Sequence, residues 1–180
     1  MTDPEFRAAY GQNKNMLYRF AWRMTGSPMA AEDIVQDCFL VLLRNPAAYD
    51  RQRGTLRSFL IGVTRNLALK RLRAERAFEE LDAETVACLP IDLSSLNSLN
   101  SLNNETERAS LVAAAIAALP PLQRETLLLA EYEELTLDEI SVAVGAELAA
   151  VKSRLHRARE NLRRMLAPLL EQKGIYGTAT

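Results

Sequence analysis

Between Arg51 and Arg76 the chain carries eight basic side chains, Arg51, Arg53, Arg57, Arg65, Lys70, Arg71, Arg73 and Arg76, against one acid, Glu75, for a local charge of +7. Such a density attracts phosphates and makes binding steeply salt-dependent. An ordinary solvated helix would alternate its signs instead. A second run, Lys152, Ser153, Arg154, His156, Arg157 and Arg159, lies off the apolar stripe of a long C-terminal helix. Arginine is the side chain best shaped for a two-pronged grip on guanine or phosphate. A third cluster has the opposite sign: Glu32, Asp33, Gln36 and Asp37 share the outer face of one helix. An acidic face of this kind points to a protein surface. Complementation of the helix dipole accounts for Glu32 and Asp33 but less well for Asp37.

The elements that must position these clusters are helices. Phe6, Tyr10, Leu17, Phe20, Ala21 and Met24 recur at helical spacing over residues 3 to 25, and TGSP at 25–28 stops that helix. Ser27 is placed to cap the next helix, with Pro28 in its first turn. This second helix runs to about Arg44, with Ile34, Val35, Cys38, Phe39 and Leu42 inward, and Asn45-Pro46 ends it. After the loop AAYDRQRGT a third helix spans about Leu56 to Arg76, with Leu56, Phe59, Leu60, Val63, Leu67 and Leu72 inward. Residues 77–107 hold seven acids, no Lys or Arg, and the run SSLNSLNSLNN. They read as a flexible linker, so the flanking halves can act as separate bodies.

Helical periodicity resumes at Glu107–Leu119, breaks at Pro120-Pro121, and continues from Leu122 to Tyr132. Thr136 with Glu139 forms a capping box for a short helix over 137–144, and Gly145 suits its left-handed end. A long helix follows from about Leu148 to Leu170, with Leu148, Val151, Leu155, Ala158, Leu162, Leu166 and Leu169 on one stripe. Short helix, Gly turn and second helix make a helix-turn-helix, whose second helix fits the major groove. No window alternates with period two, so the fold class is all-α.

The 180 residues allow one ordinary domain or two small ones and no large barrel enzyme. Cys38 and Cys88 stand fifty residues apart and His156 is the lone histidine, so neither a zinc site nor a disulfide framework can be assembled. No catalytic residue, metal or cofactor is expected. His156 has no nucleophile or carboxylate partner that can be placed beside it, and no GxxxxGK[ST] is present. Cys38 falls on the apolar face, and Trp22 reads as packing beside the first stripe. No signal peptide or membrane span is visible, which makes the cytoplasm the expected compartment. Lys plus Arg number 22 against 23 Asp plus Glu, a net charge of −1. That near-neutrality is a sum of basic blocks and an acidic linker, so it does not exclude DNA.

The blocks AEDIVQDCFLVLL (31–43), TLRSFLIGVTRNLALKRLR (55–73), LPPLQRETLLLAEYEELTLDEISVAVG (119–145) and VKSRLHRARENLRRML (151–166) resemble an extracytoplasmic-function, group IV, RNA polymerase sigma factor of the sigma-70 family. The resemblance implies two small helical domains joined by a flexible linker. Residues 1–76 would be the sigma region 2 bundle, 77–107 the linker, 108–170 the region 4 helix-turn-helix and 171–180 a tail. It implies a non-enzymatic subunit that directs core polymerase to promoters. Asp33, Gln36 and Asp37 would meet the β′ clamp, and the C-terminal domain the β flap. Asn66, Arg65, Lys70, Arg71 and Arg53 would hold the melted −10 strand, which suits a basic groove that captures an extruded base. Lys152, Ser153, Arg154, His156, Arg157 and Arg159 would read the −35 element. An anti-sigma protein is the further partner the family implies. The chain departs from the family pattern at Phe59, where Trp is frequent, at Ala149-Ala150, where Gly-Thr is frequent, and in the SLN repeat.

A helix-turn-helix regulator that does not replace sigma is the alternative, with the N-terminal half a dimerisation or sensing module. The +7 block discriminates, because such a module would not need it. Asp37→Arg is predicted to weaken retention of core polymerase in a pull-down with little change in upstream duplex contacts; unchanged retention would refute a polymerase-facing role for Asp37.

Overall fold

The first helix, α1 (Asp3–Thr25), begins where the Thr2 backbone N–H donates to the Glu5 carboxylate at 2.7 Å. It ends at Gly26, whose φ of 73° few other residues tolerate and whose N–H returns to the Trp22 carbonyl. Ser27 caps α2 (Pro28–Arg44) by accepting from the Ala30 N–H at 3.2 Å. A short 3-10 turn at Pro46–Ala48 leads to a loop, and the Thr55 hydroxyl accepts from the Ser58 N–H at the start of α3 (Leu56–Asp82). The second half comprises α4 (Glu105–Ala117), α5 (Pro121–Glu131), α6 (Leu137–Val144) and α7 (Leu148–Glu171). The computed structural model describes residues 2–82 and 105–171, and among them every regular element is helical. The SLN repeat, Cys88 and the tail lie outside the described residues.

Helix boundaries depart from the sequence expectation at α3 and α5, and also at α4, which spans Glu105–Ala117 against the expected 107–119. The third helix continues past Arg76 to Asp82, because Ala77, Phe78, Glu79 and Glu80 are tolerable to good helix formers, and a run of acids does not itself break a helix. The fifth starts at Pro121, one residue early, since proline's fixed φ suits the first helical position. The capping box at Thr136 and Glu139 forms as expected, with the Thr136 N–H on the Glu139 carboxylate at 2.8 Å and Gly145 left-handed at φ 63°. The tight turn after α6 is held by the Ser141 hydroxyl, which donates to the Ala146 carbonyl at 2.6 Å.

The core is one continuous cluster. Leu17, Phe20 and Met24 of α1, Ile34 and Leu42 of α2 and Leu60 and Ile61 of α3 join Leu128 and Leu129 of α5, Ile140 of α6 and Val151 of α7. The helices before and after residues 83–104 therefore pack on each other: α6 lies against α3, and α1 touches α4 and α5. At the closest approach the position a Cβ would take on Gly62 is 3.1 Å from the Ala143 carbonyl oxygen, so α3 and α6 meet there because residue 62 has no side chain. Cys38 is a core residue as expected; burial pushes its thiol up to about 11, and its Sγ donates to the Leu60 carbonyl. Trp22 corrects its expectation. It sits one residue past the stripe at Ala21 and is 47% exposed.

Phe20 is fully buried in this shared core. Phe20→Ala is predicted to cost about 3–5 kcal/mol of unfolding free energy, measured by urea denaturation; a loss below about 1 kcal/mol would show that the site collapses around the missing ring.

Candidate nucleic-acid interface

Arg65 and Asn66 stand side by side on α3, and they point to different tasks. The Asn66 side chain is on the exposed rim of a cleft of about 250 Å³, lined also by Tyr49, Arg53, Ser58, Phe59 and Val63. Tyr49 and Phe59 meet there with ring centroids 5.7 Å apart, tilted by 47°. Two apolar rings and an amide beside a basic helix can stack and hydrogen-bond an unpaired base. Arg65 donates to Asn66 Oδ1 at 3.0 Å, which orients that amide. The far wall of the cleft, however, is Val142 and Ala143 of α6.

The rest of the Arg65 guanidinium faces away from the cleft. Its Nε donates to Glu125 Oε2 at 2.7 Å and its Nη2 to Glu125 Oε1 at 2.9 Å. Glu125 is 0% exposed and the Arg65 side chain only 14%. A bidentate pair at this depth is far stronger than a surface pair, because solvent does not screen it. Arg154 of α7 approaches the same carboxylate, with Nη1 3.8 Å from Oε1. That Nη1 is buried and has no hydrogen-bond partner. Arg154, expected to face outward, is thus turned partly inward, and one carboxylate gathers a cation from each predicted DNA-contacting set.

The other predicted residues are spread around this centre. Arg53 and Lys70 are exposed, and Arg71 pairs with Glu75 one turn on at 2.7 Å. On α7, Lys152, His156, Arg157 and Arg159 are exposed and Ser153 is half-buried. Arg159 pairs with Glu131 at 2.6 Å, and His156 lies 3.8 Å from Glu160 one turn on. A carboxylate does therefore stand beside the histidine where the sequence placed none, because residues four apart share a helix face. Arg154 and Arg157 share a groove with Leu69, Leu72, Arg73 and Gln123, which brings part of the α3 patch beside part of the α7 patch. Asp33, Gln36 and Asp37 are exposed together on α2.

Two features escaped the sequence reading. On α2, Met29, Leu40 and Leu43 are exposed at 74%, 40% and 53% and extend the acidic face with apolar side chains. The signal was in FLVLL at 39–43, which holds more apolar residues than one stripe can bury. Glu125 was the other, a lone acid before the apolar run TLLLA, where a charge has no solvent to face.

A second carboxylate crosses between the halves less well. Arg57 donates to the Glu133 carbonyl at 2.9 Å but reaches its carboxylate only at 3.5 Å. Among the described residues no helix is long and apolar enough to cross a membrane, and no group of three His, Cys, Asp or Glu could hold a metal ion.

A two-part helical protein with paired basic surfaces and a helix-turn-helix is the class these features define. Residues 9–78 match the family profile for Sigma-70 region 2, and residues 110–162 that for Sigma-70, region 4. The chain is 31% identical over 168 residues to the ECF RNA polymerase sigma factor SigE of Mycolicibacterium smegmatis, covering 91% of this chain and 62% of that protein. It is 30% identical over 161 residues to the ECF RNA polymerase sigma factor SigW of Bacillus subtilis, covering 87% of this chain and 86% of that one. The chain belongs to the ECF sigma factor family, which acts in transcription initiation. The same fold occurs in the sigma factor RpoE in complex with the anti-sigma factor NepR from Bartonella quintana, with TM-score 0.68, 23% identity and coverage of 91% and 97%. It occurs also in CnrH in complex with the cytosolic domain of CnrY, with TM-score 0.65, 18% identity and coverage of 93% and 90%.

Burial raises the Glu133 carboxyl above its ordinary value, and Arg57, Arg19 and Arg23 only partly oppose that. A carboxyl whose folded pKa is raised stabilises the fold below the unfolded pKa, and that stability is lost as pH rises through the folded value. Glu133→Gln is therefore predicted to melt higher than the parent at neutral pH, with the two converging as pH falls toward the ordinary carboxylate range. Thermal melts across that range check this; a variant less stable at neutral pH would reverse the sign.

Proposed function

We propose that this chain binds core RNA polymerase through α2, reads a −35 element with α7 and holds the melted −10 strand on α3. The observation that carries the reading is the presence of both sigma blocks, in order, each bearing one of the two basic surfaces. Residues 1–76 serve as the region 2 domain, 77–107 connect, 108–170 serve as the region 4 domain, and 171–180 form the tail. Asp33, Gln36 and Asp37 contact the β′ clamp, with Leu40 and Leu43 supplying apolar area beside them; the C-terminal domain meets the β flap. Asn66 and the Tyr49–Phe59 cleft receive an extruded base, while Arg53, Arg65, Lys70 and Arg71 hold the strand backbone. Lys152, Ser153, Arg154, His156, Arg157 and Arg159 present donors to the upstream duplex.

The protein acts in the cytoplasm and is not an enzyme: melting draws on capture of unpaired bases rather than on nucleotide hydrolysis. An anti-sigma protein is a further partner, a reading supported by the two structural neighbours, both of them in complex with a second protein.

In transcription with purified core polymerase, the chain is predicted to start synthesis on a promoter that core alone ignores. Arg154→Ala with Arg157→Ala is predicted to lower initiation from a −35-dependent promoter by roughly tenfold or more, because each base contact is worth about 1–3 kcal/mol. Retention on core polymerase should not change. Equal initiation by the double variant would remove these residues from upstream recognition, and a chain that footprints duplex alone while ignoring polymerase would overturn the reading.

A further inference from the structure

We infer that the chain holds a second unpaired base, next to the one at Asn66, in a groove between α1 and the loop that precedes α3. That groove selects adenine or cytosine over thymine, and Arg51 holds the strand there. The inference rests on the strand-capture reading of the Asn66 cleft.

The two cavities share a wall. Tyr49 lines the cleft at Asn66 and also a groove of about 610 Å³. Ala8, Leu42 and Leu56 give the groove apolar surface, and Glu5, Gln12 and Arg51 give it polar groups. All of these residues lie between α1 and the start of α3, so the groove needs nothing from α4 to α7. The Tyr49 ring is half-buried and held by its contact with Phe59. An aromatic ring shared by two cavities is placed to stack neighbouring bases, as aromatic side chains do along an unpaired strand.

The loop supplies one cation to each cavity. Arg53 lines the cleft at Asn66, and Arg51 lines the groove. Asp50 fixes that division. Its Oδ1 accepts from the Gln52 N–H at 2.9 Å, and its carbonyl accepts from the Arg53 N–H at 3.1 Å. Two arginines held two residues apart suit successive phosphates of one strand.

The polar groups of the groove decide the base. Glutamine pairs with adenine through the adenine amino group, and a carboxylate accepts from the amino group of cytosine. Thymine has no amino group to offer to Glu5 or Gln12. The hydrogen bond from the Thr2 backbone N–H holds the Glu5 carboxyl below its ordinary value, so it is an acceptor at neutral pH.

The test uses holoenzyme assembled from the full-length chain and core polymerase. Its probe is a labelled fork whose unpaired strand is the −10 segment of a promoter that this holoenzyme transcribes. Abasic sites are placed at each unpaired position in turn, and anisotropy reads affinity. Two adjacent abasic sites should each weaken binding by about tenfold, the size of one lost base stack. Ala8→Trp fills the groove from an exposed position on α1, where added bulk does not enter the core. It should weaken binding of the intact probe by a similar factor and silence one of the two abasic effects while leaving the other. At that same position the parent should prefer adenine or cytosine to thymine by about fivefold or more, and Gln12→Ala should narrow the preference. Binding of the intact probe by Ala8→Trp as tightly as by the parent would overturn the inference, and so would a single sensitive position. If no abasic site matters and Asn66→Ala is silent too, the strand-capture reading has itself failed, and the second subsite falls with it.

Discussion

A carboxylate with no solvent contact must be compensated where it stands, and the arrangement of this protein follows from how Glu125 is compensated. Removing a charge from water costs several kcal/mol, which a buried ion pair recovers only with good geometry and further hydrogen bonds. Arg65 supplies two short bonds, at 2.7 and 2.9 Å. Because the two residues lie on α3 and α5, satisfying the charge fixes one half of the chain against the other. The α6 helix is then carried onto the cleft beside Asn66, while Arg154 approaches the same carboxylate from α7, within the second half itself. The Arg57–Glu133 contact spans the same boundary but contributes differently. Its carboxylate is reached only at 3.5 Å, and burial leaves its pKa raised. The backbone hydrogen bond made by Arg57 is the stronger part of that contact.

Electrostatics and packing have separate roles here. The shared apolar cluster, running from Leu17 and Phe20 to Val151 and Leu155, supplies most of the cohesion. It has no directional preference. The buried charges select which surfaces meet, because any other pairing of the halves would leave Glu125 without its two-pronged hydrogen-bond partner, Arg65. The net charge of −1 is consistent with this. The basic surfaces of α3 and α7 are partly neutralised by acids folded against them, Glu125, Glu131 and Glu133, all in or just after α5.

Local rules made most helices legible in the sequence. Ser27 before Pro28, Thr136 with Glu139, and Gly145 each acted through contacts within a few residues, and those contacts formed. The apolar stripes of α1, α2 and α7 were readable for the same reason. Long-range consequences were not readable. That Arg154 turns inward depends on Glu125 being buried 29 positions away, and that in turn depends on Arg65, 60 positions further back. Periodicity marks Arg154 only as off the stripe. Likewise, the FLVLL run supplies more apolar residues than α2 can bury, but which of them remain exposed is decided by α1 and α3. Trp22 misled because a large aromatic beside a stripe is usually covered, and here no element covers it fully.

The central physical question is whether the contacts that join the halves of the free chain are given up on the polymerase. The most direct measurement is the distance between spin labels at Arg7→Cys on α1 and Arg163→Cys on α7, in a Cys88→Ser background, for the free chain and for the chain bound to core polymerase. A single short, narrow distribution that lengthens on core polymerase is the predicted result. The same distribution in both states would contradict the account.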